Sequence, residues 1–337
     1  MRQQEDVSVI ICAYTEKRLE ELCAAVQSVQ LQAVQPREII VVIDYNPSLL
    51  KQVQTHLAAV LVTENTQAKG ASGSRNSGIA VAQGEIVIFL DDDAIAEPRW
   101  LEHLLAPYQE PKVIGVGGKI EPRWIADRPN WFPNEFLWVV GCTYTGMPIK
   151  KATVRNVIGA NMSVRTCALT HVGGFRASFG NNKGGTMSGN KWLHHHAGDE
   201  ETELCMRITQ THPESIWFYT PSATVKHCVS VQRTHLSYFL WRCYDEGLGK
   251  ALLVGIHNTQ TGLAAERTYT FKTLPRGIVR GLKETFVHGD LGGAARAGAI
   301  VMGLAATVVG YLVGRVVVPR KTRLVTPLAR VSVRANR

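Results

Sequence analysis

Short apolar runs separated by amphipathic stretches dominate the N-terminal part of the chain. Runs rich in β-branched residues predict four buried strands, at Val7–Cys12, Arg37–Ile43, Ala59–Thr63 and Glu85–Leu90. Between the strands, apolar residues recur at helical spacing and predict helices over Arg18–Leu31, Leu49–Leu57 and Arg75–Ala82. Strands that are apolar throughout and alternate with helices are typical of a mostly parallel sheet with flanking helices, so the pattern predicts an α/β fold.

Beyond about Pro98 the pattern changes to α+β. The periodicity predicts helices at Trp100–Tyr108, Glu200–Thr211 and Thr234–Leu253, and strands at Val113–Ile120, Ser215–Tyr219 and Ala223–His227. The aromatic, proline-containing stretch Asp127–Pro148 is predicted to be a loop region. The chain is therefore expected to comprise a catalytic domain over residues 1–233, a helical extension over 234–290, and an apolar helix with a basic tail over 291–337.

Charge and cysteine usage narrow the function classes. The formal net charge of +9 favours acidic partners such as nucleotides or anionic lipid. Basic residues are not interleaved with aromatic residues, so a nucleic-acid partner is not expected. The seven cysteines have no CxxC spacing and are odd in number, which indicates free thiols in a reducing cytoplasm rather than a disulfide scaffold or a zinc site. No secretory signal is recognisable at the N-terminus.

Three consecutive carboxylates, Asp91, Asp92 and Asp93, follow directly on the strand that ends at Leu90. Because like charges at such short distance repel each other, a bound divalent cation would offset the cost of placing them there. Oxygen ligands suit Mg²⁺ or Mn²⁺, which also bind diphosphate oxygens. In open α/β sheets, ligands bind outside the carboxyl ends of the strands. The alternative is a polar turn that caps a helix beginning near Pro98.

Other candidates are expected at the same edge of the sheet. The first two strands end at or near Ala13, Tyr14, Glu16 and Asp44. The glycine-rich segment Lys69–Gly78 carries two cations and leads into a helix, so its backbone N–H groups and Arg75 could meet phosphate or base. The segment does not fit the dinucleotide-binding or P-loop patterns. Its alternative role is a flexible connection.

The segments AYTE, IIVVID, GSRNSG, FLDDDA, GANMSV, VGGF and EETELCMRI occur in this order over roughly residues 7–230. This order resembles family 2 glycosyltransferases of the GT-A fold. The segments WVVGCTYTG and LPRGIVRG are also similar to the subgroup of glucosyl-dolichyl phosphate glucuronosyltransferases. The resemblance implies an inverting, metal-assisted enzyme that uses Mn²⁺ or Mg²⁺. Such an enzyme moves a sugar from a nucleotide diphosphate donor, most readily a UDP-sugar, to a lipid-linked or polysaccharide acceptor.

The resemblance also implies roles for single residues on the donor side. It gives Asp93, Asp91 and His227 as metal ligands. It gives the following residues as nucleotide-sugar contacts: Ala13, Tyr14, Glu16, Asp44, Lys69, Arg75, Asn76, Asp91 and Asp92.

On the acceptor side, the resemblance implies that Glu201 is the general base and that Glu200 stands beside it. Glutamate in place of the family's usual aspartate leaves the choice among Asp199, Glu200 and Glu201 open. An ionised glutamate can accept a proton near neutral pH unless burial raises its pKa. An acceptor region is expected at Gly159, Ala160, Asn161 and Trp138, against the alternatives of a tight turn for the first three and a core position for the tryptophan.

The C-terminal part predicts contact with a membrane. Ala297–Gly314 runs for 18 residues without a charge, close to the length that spans a bilayer. Gly310 and Gly314 have the GxxxG spacing of close helix contacts in lipid, which makes a homo-oligomer conceivable. The alternative is a soluble helix rich in alanine and glycine. The basic residues from Arg320 to Arg337 favour a cytoplasmic tail.

Since the catalytic part also needs the cytoplasm, where nucleotide sugars are made, a single span fits poorly. A re-entrant or interfacial helix at the cytoplasmic face of the membrane fits better, with the basic tail on the membrane surface.

Two other function classes remain to be weighed. A sugar-phosphate nucleotidyltransferase should carry a glycine-rich loop after its first strand, whereas this chain has CAYTEKR there. A non-catalytic binding module would not need both the Asp91–Asp93 run and the Glu200–Glu201 pair. The histidines His194, His195 and His196 are expected to belong to a solvated loop, because adjacent side chains point in different directions.

Overall fold

The computed structural model describes residues 4–57, 59–177, 199–256 and 264–317. Their strands form one sheet with the order β3-β2-β1-β4-β8-β6-β9-β5, and β7 pairs with β9. The strands are β1 Gln4–Ala13, β2 Gln35–Ile43, β3 Leu61–Glu64, β4 Ile86–Asp91, β5 Ala94–Ala96, β6 Val113–Trp124, β7 Ala152–Val154, β8 Asn161–Arg165 and β9 Ile216–Val229.

Helices flank the sheet and extend beyond it. The α-helices are α1 Leu19–Gln30, α2 Pro47–His56, α3 Ala71–Val81, α4 Trp100–Leu105, α5 Thr166–Val172, α6 Glu200–Thr211, α7 Leu236–Ile256, α8 Ala264–Thr268, α9 Leu274–His288 and α10 Leu291–Val317. A 3-10 helix lies at Asn134–Val140, and a π-helical turn at Tyr269–Thr273 joins α8 to α9. The predicted α/β fold is confirmed.

The N-terminal strands follow the predicted parallel arrangement. β1 pairs in parallel with β2 on one side and with β4 on the other, and β2 pairs in parallel with β3. Val9, Ile11 and Val41 are fully buried, as expected for strands covered on both faces. All of these strands point the same way, so Ala13, Asp44 and Asp91 come to one edge of the sheet.

The rest of the sheet is mixed, which periodicity did not predict. β8 runs antiparallel between β4 and β6, and it begins directly after a tight turn at Gly159 and Ala160, as the sequence had suggested for that segment. Its polar residue Asn161 lies wholly inside the protein because its amide is satisfied there. The Asn161 side chain accepts a hydrogen bond from Trp100 Nε1 at 2.9 Å and donates to the carbonyl oxygens of Lys119 and Ala223 at 3.0 and 2.9 Å.

Two further predictions of local structure are wrong. The two short strands expected at Ser215–Tyr219 and Ala223–His227 form the single strand β9, which pairs with β6 across a register shift between Gly118 and Lys119. The predicted loop Asp127–Pro148 contains the 3-10 helix, whose residues Phe136 and Val140 are buried. Aromatic packing against Phe239 of α7, with ring centroids 5.2 Å from Phe136, stabilises this segment despite its irregular pattern.

The C-terminal helices pack closely through glycine. A Cβ at Gly310 of α10 would overlap the carbonyl oxygen of Tyr244 in α7, and one at Gly314 would press on the Ala251 methyl group at 2.6 Å. The GxxxG contact is therefore made within the chain. Among the described residues, α10 is the helix that could cross a membrane by length and composition. The basic tail beyond Val317 lies outside the described residues, as do His194–His196.

Candidate active site

A cavity of about 1860 Å³ opens at the carboxyl ends of the parallel strands and extends to the C-terminal helices. Its sheet end is lined by Ala13, Tyr14, Asp44, Lys69, Arg75, Asp91 and Asp92. Its other end is lined by residues of α7 and α10, including Lys250, Leu304 and Tyr311. The cavity thus joins the strand ends to the helical extension, where charged residues such as Lys250 lie beside apolar ones such as Leu304.

Asp91, Asp93 and His227 form one group of possible metal ligands. Their ligand atoms all lie within 4.8 Å of one another. His227 Nε2 is 3.1 Å from Asp93 Oδ1 and 3.9 Å from Asp91 Oδ2. The pairing of β5 with β9 sets Ala94 opposite His227, which brings the histidine to the carboxylates although they are far apart in sequence. Two carboxylates and an imidazole are a donor set that fits a divalent cation such as Mn²⁺ or Mg²⁺.

Arg18 forms ion pairs with two further carboxylate oxygens of the acidic run Asp91–Asp93. Its Nη1 lies 2.9 Å from Asp92 Oδ1 and 3.0 Å from Asp93 Oδ2. Burial raises the pKa of Asp92 to about 7, although Arg18 opposes the shift. Burial also acts to raise the pKa of Asp93, but His227 and Arg18 outweigh it and hold that pKa well below its usual range. Asp93 is therefore the buried member of the run that stays ionised.

His227 carries a proton in this arrangement. Burial acts to lower its pKa, but the Asp93 carboxylate outweighs it and raises the pKa to about 10. A bound cation would take the place of that proton, because a ligating imidazole must be neutral at the coordinating nitrogen.

Arg75 connects the acidic run with a second acidic cluster. It lies in the glycine-rich segment, within α3, and is buried against the rings of Phe89 and Phe175. Its Nη1 lies 3.0 Å from Glu201 Oε1 and 3.3 Å from Glu200 Oε1. Its Nη2 lies 3.7 Å from Asp91 Oδ1. One guanidinium thus faces carboxylates from the end of β4 and from the start of α6.

The acidic pair lies at the N-terminus of α6, where the helix dipole favours negative charge. Burial nevertheless raises the pKa of Glu201 to about 8, and the neighbouring Glu200 carboxylate adds to the shift. The condition that burial does not raise the pKa of this glutamate is therefore not met at Glu201. Gly159 lies directly behind Glu201, since a Cβ on Gly159 would overlap Glu201 Oε1.

Asp199 has different surroundings. Its carboxylate lies where a Cβ on Gly249 of α7 would be. Burial, and next the charge of Glu246, raise its pKa well above the usual range. Asp199 therefore faces the helical extension rather than Arg75.

The residues expected around a nucleotide divide into two groups. Ala13, Tyr14, Asp44 and Lys69 line the cavity. Asp44 accepts hydrogen bonds from the Gly70 backbone N–H at 3.1 Å and from Asn65 Nδ2 at 2.7 Å, so it also fixes the start of the glycine-rich segment.

Glu16 and Asn76 are not brought to the cavity. Glu16 lies in an exposed 3-10 turn. Both ends of the Asn76 amide are engaged by the backbone of Phe175, at 2.8 Å each.

The acceptor-region candidates divide in the same way. Trp138 and Ala160 line the cavity, and Gly159 backs Glu201. Trp138 donates a hydrogen bond from Nε1 to Tyr269 OH at 3.0 Å, which joins the 3-10 helix to the helical extension. Asn161 points into the core instead and supports the sheet.

Several residues that line the cavity were not predicted from the sequence. Arg18 follows the first strand in CAYTEKR and could have been recognised as a cation near the acidic run. Lys250 of α7 lies 2.9 Å from Glu246 and 3.0 Å from Glu266, and Arg155 Nη2 lies 3.1 Å from Glu266. The signal for this network was the i, i+4 pair of opposite charges Glu246 and Lys250 on α7.

Comparison with known sequences gives matches over the sheet. The family model described as "Glycosyl transferase family 2" matches residues 8–173. A glucosyl-dolichyl phosphate glucuronosyltransferase of Haloferax volcanii is 33% identical over 251 residues, which cover 73% of this chain and 77% of that protein. A pre-mycofactocin glycosyltransferase of Mycobacterium tuberculosis is 26% identical over 167 residues, 49% of this chain and 32% of that protein.

Comparison with solved structures supports the fold. The mannosyltransferase PcManGT of Pyrobaculum calidifontis, in complex with GDP-Man and Mn²⁺, superposes with a TM-score of 0.55 at 15% identity, covering 93% of this chain and 87% of that one. GalNAc-T7 with UDP, GalNAc and Mn²⁺ gives a TM-score of 0.52 at 16% identity, covering 84% of this chain and 54% of that one. The predicted GT-A fold is confirmed by these likenesses.

Proposed function

Because the chain belongs to glycosyl transferase family 2, we propose that it transfers a sugar from a UDP-sugar to a lipid-linked or polysaccharide acceptor, with inversion at the anomeric carbon. The predicted membership and the predicted enzyme class are confirmed, which sets aside the nucleotidyltransferase and the binding module. The observation that carries the finer proposal is that Arg75 stands between Asp91 and the pair Glu200–Glu201 in one cavity. Donor and acceptor sites would meet there.

The donor diphosphate would lie at the carboxyl ends of β1, β2 and β4. A divalent cation held by Asp91, Asp93 and His227 would neutralise the diphosphate and stabilise the leaving nucleoside diphosphate. Asp44 lines the part of the cavity where a uracil-type base is expected. Arg75 can exchange a carboxylate partner for a phosphate oxygen, because a guanidinium binds both with the same geometry.

Transfer needs a base on the acceptor side. As the acceptor hydroxyl oxygen bonds to the anomeric carbon, the bond from that carbon to the diphosphate oxygen breaks and Glu201 accepts the hydroxyl proton. Glu201 is favoured over Glu200 because its side chain is the more exposed of the two, 12% against 6%. A single base without an enzymatic nucleophile supports a single displacement, hence inversion.

The acceptor would approach from the end of the cavity lined by Trp138, Leu304 and Tyr311. An apolar wall suits a lipid-linked sugar, and the name of the Haloferax volcanii relative specifies glucosyl-dolichyl phosphate as its substrate. We place the enzyme at the cytoplasmic face of the membrane, where nucleotide sugars are available. The catalytic domain would end near residue 233, and the helices that follow would wall the acceptor end.

The test is a transfer assay with the purified full-length chain, a panel of UDP-sugars and GDP-sugars, and glucosyl-linked polyprenyl phosphate as acceptor. UDP-glucuronate is the first donor to try. We expect release of UDP that depends on Mn²⁺ or Mg²⁺ and stops on chelation. A donor panel in which no nucleotide sugar binds by calorimetry in the presence of metal would refute the proposal. Product with retained anomeric configuration would refute the single displacement.

A further inference from the structure

The exposed side of α9 has two unlike stripes that the proposed transfer reaction does not use. Three apolar side chains, Val279, Leu282 and Phe286, are 66%, 41% and 85% exposed. Their spacing of three and four residues puts them on one face of the helix. The opposite face is buried, with Leu274, Gly277 and Gly281 turned toward the rest of the protein. A large exposed apolar stripe on a soluble surface marks a contact with another phase or molecule.

A basic stripe lies beside the apolar one. Arg276 and Lys283 are exposed, and helical spacing puts them on the flank of the apolar stripe; Lys272 is exposed in the π-helical turn that precedes α9. The acidic residues nearby are neutralised by internal partners: Arg296 Nη2 lies 2.7 Å from Glu284 and 2.6 Å from Asp290. The surface that α9 presents is therefore apolar and positively charged.

The neighbouring helix α10 also exposes apolar side chains. A Cβ at Gly281 of α9 would overlap the Gly293 carbonyl oxygen of α10, so the two helices touch along their backbones. Leu291 of α10 is 80% exposed, and Val309 and Leu312 are more than half exposed. α10 is also the helix long and apolar enough to enter a bilayer. α9 is thus packed, through its buried face, against the helix of the described chain best suited to lipid.

The cavity reaches the same surface. Phe271, just before α9, is 77% exposed, and Val308 of α10 is 48% exposed, yet both line the cavity. A molecule that lay in a membrane against this surface would find the cavity mouth beside it.

We propose that α9 is an interfacial membrane helix that lies flat on an anionic bilayer, with Val279, Leu282 and Phe286 among the acyl chains and Lys272, Arg276 and Lys283 on lipid phosphates. An apolar face bordered by cations is the arrangement that binds anionic lipid in the plane of the interface. The proposal adds a second element to the membrane contact expected of α10 and the basic tail. It does not depend on which sugar is transferred.

The test is co-sedimentation of the full-length protein with phosphatidylcholine vesicles, with and without phosphatidylglycerol. We expect Val279→Ser/Phe286→Ser to weaken binding to both kinds of vesicle by about tenfold or more, because apolar area is lost from the interface. Lys272→Glu/Lys283→Glu should weaken binding by about tenfold or more on anionic vesicles only, and added salt should remove the difference.

Matched controls lie on the catalytic domain. Leu31 is 67% exposed and Lys51 is exposed, so Leu31→Ser and Lys51→Glu change the same properties elsewhere and should leave binding unchanged. UDP release without vesicles reports folding of each variant separately from membrane contact. Binding equal to wild type in both α9 variants would overturn the proposal and leave membrane contact to α10 or the tail. Self-association that Phe286→Ser abolishes, without vesicle binding, would assign the face to a second copy.

Discussion

The two acidic clusters of the cavity have nearly the same composition, but the pKa of Asp93 in one and the pKa of Glu201 in the other are shifted in opposite directions. Asp91–Asp93 ends a strand and meets Arg18 and His227, so the pKa of Asp93 is lowered even though the group is buried. Glu200 and Glu201 begin a helix and share the cation Arg75, so burial prevails and the pKa of Glu201 rises to about 8. The same kind of side chain is thus kept ionised in one cluster and ready to hold a proton in the other.

The comparison explains how one cavity can offer both a cation site and a base. A metal ligand must be ionised before the metal arrives, whereas a base must bind a proton during the reaction. Asp93 has two cationic partners, Arg18 and His227, whereas Glu201 shares the single cation Arg75 with Glu200.

Asp93→Asn should cause the largest loss of activity, because it removes a metal ligand from the first cluster, Asp91–Asp93. The substitution removes an ionised ligand, and loss of cation-assisted stabilisation worth several kcal/mol corresponds to about 10³-fold in kcat/KM. Mn²⁺ binding by calorimetry should weaken in parallel. Asp92→Asn is the matched control, because the pKa of Asp92 is already raised to about 7 and its loss should cost far less. Equal losses in the two variants would contradict the assignment of Asp93 as a ligand.

Glu201→Gln should remove the proposed base from the second cluster, Glu200–Glu201, and leave metal binding at the first cluster unchanged. Loss of the base should lower kcat by about 10²- to 10³-fold, while Mn²⁺ and donor affinity stay near wild type. Glu200→Gln keeps the proposed base and should cost less. A larger loss in Glu200→Gln than in Glu201→Gln would move the base to Glu200.

Gly159→Ala tests how closely the second cluster is positioned. A methyl group there would displace Glu201 Oε1, and a base moved by a fraction of an ångström should lose on the order of tenfold in kcat. The matched control is Gly255→Ala in α7, where an added Cβ meets nothing within 4 Å. Full activity in Gly159→Ala would mean that the carboxylate position seen here is not the one used in the reaction.

The pH dependence of kcat is the mildest test of the contrast. Glu201 can act as a base only after losing its proton, so kcat should rise with pH and reach half its maximum near pH 8. Glu200→Gln removes a negative charge that helps to raise this pKa, so the midpoint should move to lower pH. A profile that is flat from mildly acidic to mildly alkaline pH would argue against Glu201 as the titrating group.

The N-terminal strands, which lie on the donor side of the site, could be predicted because the sequence of each strand is itself largely apolar. Val7–Cys12 and Glu85–Leu90 are continuous apolar runs, and the structure places strands there. β8 could not be predicted in this way, because Asn161 is polar in sequence and becomes a core residue only through partners on three other segments. Strand β9 shows the same limit, since its continuity depends on pairing with β6.

In the candidate site too, the residues that could be predicted are those that a sequence motif contains. The motifs brought Asp91, Asp93, His227 and Glu201 together as candidates; the structure groups the first three and links Asp91 to Glu201 through Arg75. Asn76 lies in the same motif as Arg75, but one position along a helix turns its side chain by about 100° and away from the cavity. Arg18 and Lys250 carry no motif, and their places depend on how the helices pack.

The glycine contact between α7 and α10 bears on how the protein can be produced. Shortening the chain before Leu291 would remove its most apolar segment and is an obvious route to a more soluble preparation. That shortened chain would uncover the side of α7 that Gly310 and Gly314 now cover. It would also lose Leu304 and Tyr311 from the cavity wall. A soluble fragment would then bind donor at the sheet while its acceptor channel stood open along one side, so its hydrolysis of donor by water should exceed that of the whole enzyme.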